Sequence, residues 1–268
     1  MTPSDTYTHG HQEAVLRSHR WRTAENSAAY LLPHLRPGMR LLDVGCGPGT
    51  LTAELAARVA PGEVVAVDVS AEVIAEAERH ARGAGVGNLT FRVGDFRAAG
   101  LADASFDVVH AHQVLQHLRD PVGALREMRR LLRPEGLAAA RDGDYTAMTW
   151  WPASRRLDRW RDVYLAVTRH NGAEANAGRH LLEWAREAGY AEVAYSTSNW
   201  TFATPADRSW WSEQWAERTT SSEFARQAVA YGIATPAELE EVAAGWRAWG
   251  GSAGGVFIVV SGEILARP

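Results

Sequence analysis

Residues 40–50 constrain the fold more than any other stretch of the chain. A short apolar run, Arg40-Leu41-Leu42-Asp43-Val44, leads directly into Gly45-Cys46-Gly47-Pro48-Gly49, and a helical pattern begins at Thr50. A buried strand that turns sharply on glycines into a helix is the opening of a βαβ unit. The glycines permit the tight turn and let a ligand approach the backbone, and the first helical amides then face that ligand.

The following 100 residues repeat the alternation. Strands are expected at Glu63–Asp68, Leu89–Val93, Phe106–His110 and Leu137–Asp142. Helices are expected at 50–59, at 71–84 behind a Ser70 cap, and at 121–132. Strands alternating with helices predict an α/β fold with a mainly parallel sheet. Upstream, residues 12–35 carry a loose helical spacing that ends near Pro33. Downstream the texture changes, because ten of the eleven tryptophans lie from Trp150 onward. Helices are expected over 150–171, 178–188 and 205–249, and strands around 191–203 and at 256–265. The organisation read from this is an N-terminal helical cap (1–37), a core (38–149), and a remainder of that core (about 178–204 and 256–265) carrying Trp-rich helical lid insertions (about 150–171 and 205–250).

Composition excludes several chemistries. All 28 basic residues are arginine, so there is no P-loop lysine, no Schiff base and no lysine general base. The single cysteine, Cys46, excludes an internal disulfide and a Cys-cluster metal site, and no metal is expected. A net charge of -4 gives no basic stripe for nucleic acid. No apolar run is long enough to span a membrane. A cytoplasmic location is expected, with neither nucleic acid nor membrane as partner, and a homodimer is left open.

Three acids fall at the ends of consecutive strands, where a doubly wound sheet binds ligands: Asp43, Asp68 and Asp95. Asp43 is unsuited to a pyrophosphate but suits a cationic amino acid. Asp68 can accept from ribose hydroxyls. Asp95 can accept from an exocyclic amine beside the ring of Phe96. In this order and spacing, Leu42–Gly49, Asp68, Gly94-Asp95-Phe96, Phe106-Asp107-Val108-Val109 and Leu132–Gly136 resemble the class I S-adenosylmethionine (SAM)-dependent methyltransferases. The stretch from Phe106 to Leu118 is similar to their ubiquinone/menaquinone C-methyltransferase branch. The resemblance implies a Rossmann-like seven-stranded sheet with an antiparallel last strand. It also implies SAM as cofactor and S-adenosylhomocysteine as its product. By the same resemblance Asp43, Gly45 and Gly47 contact the methionine part, Asp68 and Val69 the ribose and adenine, Asp95 and Phe96 the adenine, and Ala111 and His112 the methyl side.

The acceptor is less constrained. His112, Asp144 and Tyr145, after the fourth and fifth strands, are the catalytic candidates, with His112 read mainly as a hydrogen-bonding wall. Tyr7, Tyr30, His112, Trp150 and Trp211 are the substrate candidates. An N-terminal group of Tyr7, His9, His11 and His19 matches no zinc spacing, and Tyr7, Arg22 and Asn26 are placed to close over a pocket. Indole faces bind planar ligands, so a small aromatic or heteroaromatic acceptor is expected, methylated at carbon or nitrogen. An indole or tryptophan-derived natural product fits that description. Two alternatives stand beside this reading. One is a SAM-fold protein that does not methylate, such as a cyclase. The other is a nicotinamide-dependent oxidoreductase, weakened by the missing third glycine of G-x-G-x-x-G and by Asp43.

Overall fold

The computed structural model describes residues 5–10 and 13–268, so His11 lies outside the described residues. The core runs β1 (Leu41–Val44), α3 (Thr50–Val59), β2 (Val64–Asp68), α4 (Ala71–Gly83), β3 (Leu89–Val93), β4 (Phe106–His112), α5 (Pro121–Leu131) and β5 (Leu132–Gly143), preceded by α1 (Glu13–Arg20) and α2 (Ala24–Ser27). It continues as β6 (Thr149–Trp151), α6 (Arg155–His170), α7 (Ala177–Glu187), β7 (Glu192–Phe202), α8 (Pro205–Ser221), α9 (Glu223–Ala230), α10 (Pro236–Gly250) and β8 (Val256–Arg267).

The strand order is β3-β2-β1-β4-β5-β8-β6, with β7 on the other edge of β8. β1 to β5 are parallel, and β8 runs antiparallel to β5, β6 and β7. This is the expected mostly parallel sheet with an antiparallel last strand, with eight strands rather than seven. The addition is β6, which resumes pairing with β8 at Thr149↔Ile258 after β5 leaves it at Gly143↔Ser261. The helical pattern expected from residue 150 therefore starts only at Arg155, behind the Ser154 cap. The helical stretch expected over 12–35 is also broken. Thr23 closes a capping box with Asn26, accepting from its backbone N–H at 3.1 Å while Asn26 accepts from the Thr23 N–H at 2.8 Å, and this restarts the chain as α2.

All four residues of β1 are buried, as expected for a parallel strand covered on both faces. The chain order reverses between β1 and β4, which opens a crevice at the carboxyl ends of these strands. A separate aromatic core joins α6, α8, α9 and α10 to the ends of β7 and β8, with Trp160, Trp211, Trp215, Trp246, Phe202 and Phe257 at its centre. Among the described residues, no helix is long and apolar enough to cross a membrane.

Candidate functional site

A cavity of about 920 Å³ fills the crevice. The glycine turn forms its floor. Gly45, Gly47 and Gly49 have φ of +65°, +57° and +82°, a region that L side chains rarely adopt. A Cβ at Gly47 would project toward the cavity, meeting only His19 Nδ1 at 3.9 Å, whereas one at Gly49 would strike Ala77 Cβ at 2.8 Å. Gly47 thus keeps the backbone open to a ligand, and Gly49 lets α3 pack on α4.

The acids at the strand ends differ in what they can do. Asp68 Oδ2 accepts from the Gly47 N–H at 3.0 Å and Oδ1 from the Ser70 N–H at 3.0 Å. Each oxygen keeps a lone pair for a ligand hydroxyl. Asp43 is almost sealed. Its Oδ2 accepts from the Thr52 hydroxyl at 2.6 Å and its Oδ1 lies 2.7 Å from His110 Nδ1. Register explains the pairing, since Asp43 stands beside His110 across β1 and β4 and register partners share a face. Both Asp43 oxygens are thus engaged by the protein, and the side chain braces the turn from within. Asp95 is chelated by the Arg97 guanidinium at 2.7–3.0 Å. Burial works against its charge, but the hydrogen bonds from Arg97 outweigh it and hold the carboxyl below its usual range. Val69 lies on the same wall with its apolar side chain 68% exposed, and Phe96 sits beneath.

A strap of N-terminal residues crosses the cavity. Asp5 accepts from Arg97 at 2.5 Å and from the Arg119 N–H at 2.8 Å. The Tyr7 ring stands edge-on to His117 at 4.8 Å. Thr8 accepts from Asn171 at 3.1 Å, and His9 Nε2 lies 2.8 Å from the Tyr164 hydroxyl and 3.4 Å from that of Tyr145. The strap therefore ties the sheet loops to the helical lid.

A further wall of the cavity is formed by His19, Arg22, His112 and Gln113. Burial first, then the nearby Arg22 and Arg141 guanidiniums, push the His112 imidazole well below its ordinary range, so it is neutral at pH 7. Both of its ring nitrogens are buried without a partner. Arg22 donates to Gln113 Oε1 at 2.6 Å. Behind this wall lies a recess of about 30 Å³ lined by Trp21, Met148, Tyr145, Trp200, Trp211, Trp215 and Arg218, sharing His9, His19, Arg22 and Gln113 with the main cavity.

Of the residues singled out from sequence, the structure brings Tyr7, Asp43, Gly45, Gly47, Asp68, Val69, Asp95, Phe96 and His112 together on the cavity wall. Tyr145 and Trp211 line the recess behind it. Four lie elsewhere. Ala111 is buried in the apolar layer on the opposite face of β4. Asp144 is chelated by Arg179 at 2.6 and 2.7 Å, outside both cavities. Trp150 stacks on Phe257 at 5.5 Å under the Arg161 guanidinium. Tyr30 packs with Leu41 and Leu55 against the sheet. Sequence reasoning missed His110 as the partner of Asp43 and Arg119 as an anchor of the strap. Among the described residues, no three His, Cys, Asp or Glu side chains are grouped to hold a metal.

Residues 35–190 match the family described as methyltransferase domain. The chain is 32% identical over 270 residues to an uncharacterized methyltransferase of Schizosaccharomyces pombe, covering 97% of this chain and 96% of that one. Its fold is similar to that of the YcgJ protein of Bacillus subtilis (TM-score 0.58, 17% identity, 91% of this chain and 98% of that one). It is also similar to a Haemonchus contortus phosphoethanolamine N-methyltransferase solved with S-adenosylhomocysteine (TM-score 0.56, 18% identity, 89% of this chain and 52% of that one). The open backbone at Gly47, the free lone pairs of Asp68 and the exposed apolar face of Val69 fit the methionine, ribose and adenine parts of SAM. With this site and a match along nearly its whole length, the chain belongs to the SAM-dependent methyltransferase family.

Proposed function

We propose that this protein methylates a small aromatic or heteroaromatic molecule held between the glycine turn and the Arg22–His112–Gln113 wall. SAM, when bound, supplies a methyl group on a cationic sulfur, open to in-line attack by an acceptor atom. The chain's own part is to hold, align and exclude water. Gly45, Gly47, Asp68 and Val69 hold the cofactor, with Asp95 and Phe96 at the adenine end. The strap from Asp5 to His9 covers the cavity and keeps water out. Alignment alone supplies up to about 7–11 kcal/mol of barrier lowering. His112, being neutral with two unpartnered ring nitrogens, orients the acceptor by hydrogen bonding. Its depressed proton affinity makes it a weak base at pH 7.

The observation that carries the aromatic reading is the acceptor side itself, where Trp200 lies 5.9 Å from the His112 ring and the recess beyond is lined by three further tryptophans. An indole or tryptophan-derived natural product, methylated at carbon or nitrogen, fits these walls. The net charge of -4 supports a small-molecule acceptor rather than nucleic acid. The test is transfer of labelled methyl from SAM to a panel of indoles, phenols, quinols and aliphatic amines. Labelling confined to the aromatic members supports the reading. Labelling of aliphatic amines alone, or of nothing, contradicts it.

A further inference from the structure

The recess behind the acceptor wall has a one-sided inventory of hydrogen-bonding groups. Arg22 and Arg218 both line it, and no aspartate or glutamate does among the described residues. Arg22 donates to Gln113 Oε1, a neutral acceptor, and its Nε is buried without a partner. The indole N–H groups of Trp211 and Trp215, side chains only 5% and 2% exposed, are likewise without partners. An indole N–H can only donate, so each is a buried donor awaiting an acceptor. Arg218 donates to Ser18 Oγ and Val15 O while facing the same space. At about 30 Å³ the recess is too small for an aromatic ring but large enough for two oxygen atoms. It shares His9, His19, Arg22 and Gln113 with the main cavity, so these side chains border both spaces.

We propose that the recess takes a carboxylate, and that the carboxylate belongs to the methyl acceptor, whose ring lies in the main cavity beside His112. Two guanidiniums with no carboxylate among the described residues border this small space, and an anion entering it would offer lone pairs to the unpartnered Arg22, Trp211 and Trp215 donors of its lining side chains. A protonated amine in the same place would meet two guanidiniums and, among the described residues, no carboxylate. The inference rests on the methyltransferase reading and narrows its acceptor to aromatic acids. Arg22 also borders the cofactor cavity, so the carboxylate of the cofactor's methionine part is the competing source.

The test compares indole-3-carboxylate with indole-3-carboxamide, and benzoate with benzamide, by calorimetry on protein saturated with S-adenosylhomocysteine. The carboxylates should bind at least about tenfold tighter than the amides. Arg22→Gln should erase that preference. Trp211→Phe, which keeps the ring stacked on Phe202 at 4.1 Å, should weaken the carboxylates several-fold and leave S-adenosylhomocysteine affinity within about twofold. Equal binding of acids and amides, or binding of neither, overturns the proposal. So does an Arg22→Gln variant that loses S-adenosylhomocysteine but keeps the preference, which would give the recess to the cofactor. Titrating the wild type with S-adenosylhomocysteine first separates the two levels: if it binds, a failure belongs to this inference, and if it does not, the reading beneath fails as well.

Discussion

His110 Nδ1 lies 2.7 Å from Asp43 Oδ1, with the two side chains 0% and 3% exposed. This contact engages one carboxyl oxygen, and the Thr52 hydroxyl donates to the other. Removing the carboxylate would strand the buried His110 Nδ1 and leave the Thr52 hydroxyl only the Cys46 carbonyl at 3.5 Å. Asp43→Ala should cost about 2–5 kcal/mol of stability, read from urea unfolding. A loss below about 0.5 kcal/mol would show that the turn does not depend on this pairing.

The glycines of the turn should separate by function. Gly49→Ala combines a left-handed backbone with a Cβ 2.8 Å from Ala77 Cβ and 3.0 Å from its Cα, so it should lose about 2–4 kcal/mol of stability. Gly47→Ala meets nothing closer than 3.9 Å and should lose only about 1–2 kcal/mol, the backbone term. Its larger effect should be on S-adenosylhomocysteine affinity, because the new methyl occupies the ligand's approach. Thermal unfolding and calorimetry on the two variants check this. The reverse ranking would contradict it.

Stability should fall on mild acidification. Burial holds His9, His19 and His112 well below their usual range and pushes His117 down to about 3, with Arg22 adding to each. The unfolded chain binds protons at these groups near pH 6.5 while the folded chain does not, so their contribution is full above pH 6.5 and shrinks as pH drops. Asp142 acts in the opposite sense. Burial raises it to about 7, so the folded chain holds that proton where the unfolded chain has released it, and stability falls as pH rises toward 7. Four histidines outweigh one carboxyl. Each fully shifted group changes stability by up to about 1.4 kcal/mol per pH unit. Unfolding in urea at pH 7.5 and 5.5 should show lower stability at 5.5, and equal or greater stability there would contradict the burial of these imidazoles.

His112→Phe keeps the aromatic volume and removes both ring nitrogens. Cofactor affinity should change little, and turnover should fall by about 10²-fold or less, the scale of lost orientation rather than of a lost base. A single-turnover assay checks this. A much larger loss, with a pH profile that turns on one group in the wild type and loses it in the variant, would assign proton transfer to His112.

The core was legible because its signals are local. The strand, glycine turn and helix of residues 41–59, and the acids ending β2 and β3, sit where a sheet reversal needs them whatever the rest of the chain does. What was not legible depends on distant pairing. Asp43 and His110 are 67 residues apart, Arg22 and Gln113 are 91, and Asp5 meets Arg119 across 114. No spacing rule links such residues. The tryptophans show the same limit. Trp150 and Trp211 look alike in sequence, yet Trp150 stacks on Phe257 in the lid core and Trp211 borders the recess. Residues 144–151 misled for another reason, because the chain bends after β5 and resumes as β6 before the helix begins.

The central claim is that Asp68, bonded to the Gly47 and Ser70 backbone, holds the ribose of SAM. Isothermal titration of the wild type and of Asp68→Ala with S-adenosylhomocysteine tests it most directly. Micromolar binding that weakens by about 100-fold in the variant, while both proteins unfold cooperatively, is the predicted result. Wild-type affinity in the variant, or no binding to the wild type, would contradict the assignment of this cavity to the cofactor.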